Sequence, residues 1–188
     1  MRSYKTEGII LKRTNFGEAD RILTVFTKHY GKIKVLAKGV RRIKSRRGPN
    51  VELFNWVTLF LVKGKNFDLL TEAETKETFP AIRKDLPMVG AAYYLCELMD
   101  GFCPERQEHR KVFDLLTGTF GELAATKNGT SAAILIDFEL ELLRELGYWP
   151  KDKLPPIDIE VFIEQILERK LKTPKFLTQI GEETTPFR

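Results

Sequence analysis

The sequence predicts an α+β protein in which an N-terminal β-barrel is followed by an α-helical domain. Residues 1–80 alternate apolar and polar positions between Gly- and Asn-containing turns, whereas apolar residues beyond Phe79-Pro80 recur at helical spacing. Residues 1–80 hold 17 Lys and Arg against 8 Asp and Glu, and residues 81–188 hold 14 against 18. A chain of 188 residues, 43% of them hydrophobic, is long enough for two domains, which we expect at 1–80 and 81–188.

Five strands are expected in the first domain, most of them joined by short turns. The fourth is apolar on both faces, which indicates that both faces are covered or that a bulge switches the faces midway. Five strands within roughly 80 residues suit a small closed Greek-key barrel with the OB-fold. The predicted strands are Tyr4–Arg13, Arg21–Lys28, Lys32–Val40, Val51–Lys63 and Phe67–Thr78.

Four helices are expected in the second domain. The third has the clearest apolar stripe, and Gly147 follows it in the position that favours a helix end. Pro155-Pro156 interrupts the chain before the last helix. The predicted helices are Leu86–Phe102, Arg106–Ala125, Ser131–Leu146 and Ile157–Leu171.

The stretch from Gly31 to Asn50 concentrates positive charge and contains no Asp or Glu. Its first part alternates, so Ile33, Val35 and Ala37 should face the core while the lysines face outward. Its second part, Arg41–Pro49, lacks periodicity and is here called the basic loop. Because an ordinary soluble surface mixes both signs of charge, this composition favours a polyanion as partner. Its cations are Lys32, Lys34, Lys38, Arg41, Arg42, Lys44, Arg46 and Arg47.

The sequence carries no motif of a phosphate-binding loop, a nucleophile elbow or a zinc site. The two histidines, His29 and His109, and the two cysteines, Cys96 and Cys103, supply too few ligands for a structural zinc ion. We therefore expect no catalysis, no metal and no cofactor, although a two-metal nuclease built from the many carboxylates remains an alternative. The chain lacks an apolar signal core and any apolar run of about 18 residues, which predicts a soluble cytoplasmic protein with no membrane partner.

Binding to a nucleic acid needs cations for the phosphates and, for single strands, surfaces on which bases stack. Phe16 and Tyr30 lie in predicted turns and are the stacking candidates, while Phe54, Trp56 and Phe60 are expected in the core or at an interface. Since no basic recognition helix is present, binding should tolerate any sequence. A module that binds RNA and an adaptor that binds an acidic protein are alternatives.

The phrase GIILKRTNFGEADRILTVFTKHYGKIKVLAKGVRRIKSR closely resembles the N-terminal domain of the bacterial RecO family of recombination mediators. The resemblance continues through LPMVGAAYYLCELMD, FELELLRELGY and LKTPKFL. It implies an OB-fold followed by a helical domain, and binding and annealing of single- and double-stranded DNA. It also implies partnership with the single-strand-binding protein SSB, and with RecR in loading RecA, in the cytoplasm at the nucleoid.

Carried to this chain, the resemblance assigns DNA contacts to the eight cations of Gly31–Asn50. It also implies an apolar groove in the helical domain for the acidic C-terminal tail of SSB. Many members of the family carry a four-cysteine zinc module after the L-G-Y segment, but Gly147-Tyr148-Trp149-Pro150 is followed here by no cysteine. We therefore expect a short form without the module, which puts the contact with RecR in question. The candidate rim residues of the SSB groove are Arg169, Lys170, Lys172 and Lys175.

Overall fold

The computed structural model describes residues 2–126 and 131–173, which divide into two compact units. The first unit contains the chain up to Phe79 together with Cys103–Phe113, a stretch called here the return segment. The second contains Pro80–Phe102 and the described residues from Asp114 onward. Among the described residues, no helix is both long and apolar enough to cross a membrane.

The first unit is a closed five-stranded barrel. Its strands are β1 (Ser3–Phe16), β2 (Asp20–Thr27), β3 (Gly31–Ala37), β4 (Trp56–Val62) and β5 (Asp68–Glu77). They close in the order β1-β2-β3-β5-β4, with every pair antiparallel except β3 and β5. This small, mixed and closed barrel confirms the predicted OB-fold class.

Strand β1 closes the barrel because its two halves pair with different neighbours. Residues from Ser3 to Ile9 pair with β4, and residues from Gly8 to Phe16 pair with β2. A bulge between Ile10 and Lys12 bends the strand between these two partners. At Gly8 a Cβ atom would lie 2.6 Å from Cγ1 of Val25, so glycine permits the close approach of β2.

The barrel core is built from alternate residues of all five strands. Ile33, Val35 and Ala37 of β3 are fully buried, which confirms the alternation predicted for this strand. Val40 and Val51, from the connection between β3 and β4, belong to the same apolar cluster. The other members are Ile10, Leu23, Val25, Val57, Leu59, Leu61, Leu70 and Ala73.

The predicted fourth strand begins five residues later than expected. Pro49–Val51 forms a short 3-10 helix, and the backbone of Phe54 has a φ of 69°, which is incompatible with a strand. Asn55 stabilises this turn because its side-chain amide donates to the carbonyls of Pro49 and Asn50. Val51 and Phe54 are buried. Their apolar side chains were therefore a sign of burial in the core and not of an extended strand.

The helices are α1 (Leu86–Phe102), α2 (Arg110–Ala125), α3 (Ala132–Glu145) and α4 (Ile159–Leu167). The bounds of α1 agree with the prediction, whereas α2 starts four residues late. Arg106, the predicted first residue of α2, has a φ of 60° and donates its backbone N–H to the carbonyl of Lys32, so it does not belong to the helix. Within the second unit, the buried apolar residues include Leu95, Leu98, Leu116, Phe120, Phe138, Leu142 and Ile163.

The second unit also buries a polar pair between two of its helices. The hydroxyl of Tyr94 on α1 donates to Oε1 of Glu139 on α3 at 2.6 Å, and both residues are about 5% exposed. Burial, together with repulsion from Glu160 and Asp158, raises the pKa of Glu139 to about 7, although the hydrogen bond from Tyr94 lowers it. The helical unit therefore contains a carboxyl group whose charge is costly.

Candidate nucleic-acid interface

The basic loop is held in place at the turn between β1 and β2. The backbone N–H of Arg41 donates to the carbonyl of Ala19 at 3.0 Å, and its guanidinium donates to the carbonyl of Gly17 at 3.3 Å. Two positions earlier in this connection, the N–H of Gly39 donates to Oδ1 of Asp20 at 2.7 Å. These contacts fix the start of the loop against a turn that belongs to the barrel.

The other side of the loop is fixed along β5. The guanidinium of Arg47 donates to the carbonyls of Leu70 at 2.9 Å and of Lys38 at 2.8 Å. The amide of Asn50 donates to the carbonyl of Ala73 at 2.7 Å. Arg47 and Asn50 thus satisfy carbonyl groups at the edge of β5 and hold the loop in one position.

Between these two attachments lies an open groove of about 710 Å³. Four exposed cations at this groove, Lys38, Arg42, Lys44 and Arg46, have no ion pair or hydrogen bond from their side chains to the described residues. Their charge is therefore available to a ligand. The lining residues are Asp20, Lys38, Gly39, Arg42, Lys44, Ser45, Arg46 and Arg47.

Lys32 and Lys34 do not belong to this groove. Lys32 is only 8% exposed, which corrects the expectation that it projects into solvent, and it forms a parallel bridge with Glu105 of the return segment. Lys34 is exposed, but its ammonium lies 2.7 Å from the Glu105 carboxylate. An acid about 70 residues further along the chain thus neutralises part of the predicted surface.

The return segment lies against β3 because Gly31 lacks a side chain. A Cβ atom at Gly31 would lie 1.9 Å from the carbonyl oxygen of Gln107, and the φ of this glycine is 61°. Arg106 of the segment contacts the buried Asp68, which also accepts hydrogen bonds from the hydroxyl of Tyr4 and the N–H of Gly64. Burial opposes ionisation of Asp68, but these three donors hold its pKa below the usual range.

Two family models match the chain, one to each part of its length. Recombination protein O N terminal matches residues 1–79, and Recombination protein O C terminal matches residues 83–151. The chain belongs to the RecO family.

Similar proteins carry the name DNA repair protein RecO. The protein of Roseiflexus sp. is 40% identical over 153 residues, which are 80% of this chain and 52% of that protein. The protein of Dehalococcoides mccartyi is 39% identical over 149 residues, covering 79% and 58% of the two chains. The protein of Desulfitobacterium hafniense is 35% identical over 151 residues, covering 80% and 54%. This chain therefore spans a little over half the length of these curated relatives.

The two candidate stacking residues of this RecO-family barrel lie at its opposite ends. Phe16 is 49% exposed at the end of β1, beside the turn that accepts hydrogen bonds from Arg41. Tyr30 is 42% exposed in the turn between β2 and β3, and its ring packs on Tyr4 with 4.5 Å between centroids. The eight residues of β2 separate these two turns by about 25 Å, so of the two only Phe16, which pairs with Asp20, lies at the end of the barrel where the groove is.

The remaining aromatic candidates do not line the groove. Phe54 is buried, as expected for a core residue. Trp56 is half-buried, with the ring of Phe113 at 6.3 Å and the ammonium of Lys76 over its face. Phe60 is likewise half-buried, and Lys5 covers its ring at 4.8 Å. Cations of the barrel itself therefore occupy the partly exposed faces of Trp56 and Phe60.

The candidate rim residues for an SSB tail contact acids of their own unit. The guanidinium of Arg169 lies 2.9 Å from Glu97, and the ammonium of Lys170 lies 2.5 Å from Glu164. Lys172 has an exposed side chain, although its backbone N–H donates to Glu97. Lys175 lies outside the described residues.

Asp20, Ser45 and Glu105 contribute to this surface but were not predicted to do so. Asp20 and Ser45 line the groove, where Asp20 binds a backbone amide. Glu105 neutralises Lys34 from a distant part of the sequence, where no local pattern indicates contact with β3. The position of Asp20, directly before the predicted strand Arg21–Lys28, was the only available signal, since short acidic residues commonly bind turn amides.

Proposed function

We propose that this chain is a non-catalytic mediator of DNA repair and homologous recombination. It binds single- and double-stranded DNA, anneals complementary strands, and helps to load RecA on SSB-coated DNA together with RecR. Residues 1–80 act as the DNA-binding domain and residues 81–188 as the protein-interaction domain. The protein works in the cytoplasm at the nucleoid and needs no metal or cofactor.

The observation that carries this proposal is the basic groove. Four exposed cations without partners in the described chain face a concavity whose walls are fixed on both sides. A strand that neutralises them would release about 0.7 counterions for each phosphate, which gives a slope near −3 for log affinity against log salt. Neutralised phosphates also allow two strands to approach each other, which supports annealing.

Fluorescence anisotropy with labelled single-stranded and duplex oligonucleotides tests the proposal over a range of salt concentrations. Reversing two groove charges, Arg42→Glu with Lys44→Glu, should lower the affinity for a single strand at least about tenfold and halve the salt slope. The matched control reverses Lys63 and Lys65, two exposed lysines at the turn between β4 and β5, and should change the slope little. Equal effects of both double variants would refute the groove as the site.

A second experiment addresses catalysis and the sugar. Incubation of labelled DNA with magnesium or manganese should yield no cleavage product, and any product lost on charge reversal would identify a nuclease instead. Competition between DNA and RNA of the same sequence tests the alternative of an RNA-binding module, because phosphate contacts alone do not distinguish the two sugars. Preference for RNA would replace DNA repair with that alternative.

The partner role of the helical unit is tested with a labelled peptide of the acidic SSB tail. Substitution of Lys172, whose side chain is exposed, should weaken binding of this peptide and leave DNA binding unchanged. Strand annealing and RecA loading are then measured on SSB-coated DNA with and without RecR. An unchanged loading rate on adding the protein would contradict the mediator role.

A further inference from the structure

The tip of the basic loop carries an exposed apolar side chain. Ile43 is fully exposed, with a relative accessibility of 105%. The N–H of Ser45 donates to the carbonyl of Arg42 at 2.8 Å, so residues 42–45 form a tight turn with Ile43 near its apex. The N–H of Arg42 also donates to the carbonyl of Gly39 at 3.2 Å. The turn therefore presents Ile43 outward rather than toward the core.

Single exposed apolar residues are common on protein surfaces, but the neighbours of Ile43 are unusual. Arg42 and Lys44, which flank it, are exposed groove cations with no partner among the described residues. A strand whose phosphates reach these two cations therefore passes Ile43. Apolar side chains of this kind insert between neighbouring bases in several classes of DNA-binding protein.

A second apolar side chain borders the same loop. Phe16 is 49% exposed and directly precedes Gly17, whose carbonyl accepts the hydrogen bond from Arg41. Aromatic rings stack on bases of any identity, because every base has a π-face. The loop and the neighbouring turn thus supply an aliphatic and an aromatic contact beside the cations.

We propose that Ile43 and Phe16 form a nucleobase-contacting edge of the groove, in which Ile43 inserts between adjacent bases of an unpaired strand. This inference rests on the proposed DNA-binding function and specifies which part of the nucleic acid the groove holds. Bases in a duplex are already stacked and paired, whereas those of a single strand are accessible. Ile43 therefore adds affinity for single strands and little for duplexes.

The test compares Ile43→Ser with a matched control, Ile157→Ser, in the full chain. Ile157 is equally exposed, at 107%, but lies in the second unit. Ile43→Ser should weaken binding of a single-stranded oligonucleotide roughly fivefold, at the low end of what loss of a stacking contact costs. Its salt slope should stay that of the unchanged protein, because no phosphate contact is lost. Duplex affinity and the Ile157→Ser variant should change less than about twofold.

Two further probes separate a contact with bases from an effect on the loop. A strand of abasic residues keeps the phosphates but offers no base, so it should bind the unchanged protein and Ile43→Ser equally. A strand containing 2-aminopurine should gain fluorescence on binding the unchanged protein, because insertion unstacks the bases, and less on binding Ile43→Ser. Equal weakening for abasic and normal strands would overturn the inference.

The remaining outcomes are equally decisive. Single-strand binding that does not depend on Ile43 would overturn the base contact while leaving the proposed DNA function in place. Loss of binding to anionic phospholipid vesicles in Ile43→Ser, with DNA binding unchanged, would assign Ile43 to a lipid surface instead. Absence of any DNA binding by the unchanged protein in low salt would refute the proposed function itself.

Discussion

Replacement of the buried Glu139 by Gln should change the stability of the helical unit by an amount that depends on pH. The free energy of unfolding of the variant, minus that of the unchanged protein, should be greater at alkaline pH than at acidic pH. The pKa of this carboxyl rises from 4.5 to about 7 on folding, because burial disfavours the charged form and Glu160 and Asp158 add repulsion. Its contribution to stability is therefore complete below pH 4.5 and is lost as the pH rises to about 7. Between about pH 5 and pH 8 this loss amounts to about 2 to 3 kcal/mol.

Gln retains an oxygen that accepts the hydrogen bond from Tyr94, but it carries no charge at any pH. The free energy of unfolding is measured by urea titration with far-ultraviolet circular dichroism, for both proteins at several pH values. Taking the difference between the two proteins cancels the titration of every other group. That difference should rise by about 2 to 3 kcal/mol from about pH 5 to pH 8.

A control substitution on the same helix is Asp137→Asn, because this carboxyl is exposed. Its difference from the unchanged protein should stay nearly flat over the same range. A flat difference for Glu139→Gln would show that the group ionises in the folded protein as it does in the unfolded chain. The reasoning from burial would then be refuted, whether the variant were more or less stable than the unchanged protein.

Two further predictions concern the first unit. Glu105→Gln removes the ion pair with Lys34 and should raise the affinity for single-stranded DNA, with a steeper salt slope. The gain should be only about twofold, since exposed ion pairs are weak. An unchanged slope in anisotropy titrations would show that Lys34 does not reach the strand. Arg47→Lys keeps the charge but cannot bridge the carbonyls of Leu70 and Lys38, so affinity should fall while the slope stays constant. Lys44→Gln, in contrast, should reduce the slope by about 0.7. A similar reduction for Arg47→Lys would contradict the bracing role, because a phosphate contact would have been lost although the charge was kept.

Periodic sequence patterns predicted the regular elements of this fold. The apolar positions of β3 alternate because every second side chain enters the core, and the structure buries those same residues, Ile33, Val35 and Ala37. The bounds of α1 were likewise predictable, since it lies between Asp85 and the Cys103-Pro104 step. The 3-10 turn before β4 was not predictable, because Val51 and Phe54 are apolar in either a strand or a buried turn.

The candidate site was only partly predictable, because its charges are sorted by contacts between distant residues. All eight cations look alike in the sequence, yet Lys32 is buried, Lys34 is paired with Glu105 and Arg47 binds carbonyl groups. Lys32 and Lys34 meet Glu105, and Arg47 meets Leu70 on β5, in contacts between distant residues that local periodicity cannot detect. The composition of the loop predicted a basic surface, and only the fold distinguishes the cations that are exposed at the groove from those that brace the loop.

The short pairing between β3 and β5 explains both why some of these cations are exposed at the groove and why Lys32 and Lys34 contact Glu105 instead. These parallel strands pair over only two positions, Val35 with Asp68 and Leu36 with Leu69. The first part of β3 and the later part of β5 therefore do not pair with each other along this edge. Unpaired edges must find hydrogen-bond partners elsewhere. Beyond the end of β3, Arg47 and the loop satisfy the edge of β5, and this attachment creates the groove. Before the start of β5, the return segment satisfies the edge of β3 and brings Glu105 to Lys34. The same short pairing therefore places exposed cations without a partner among the described residues at one end, and Lys34, paired with Glu105, at the other.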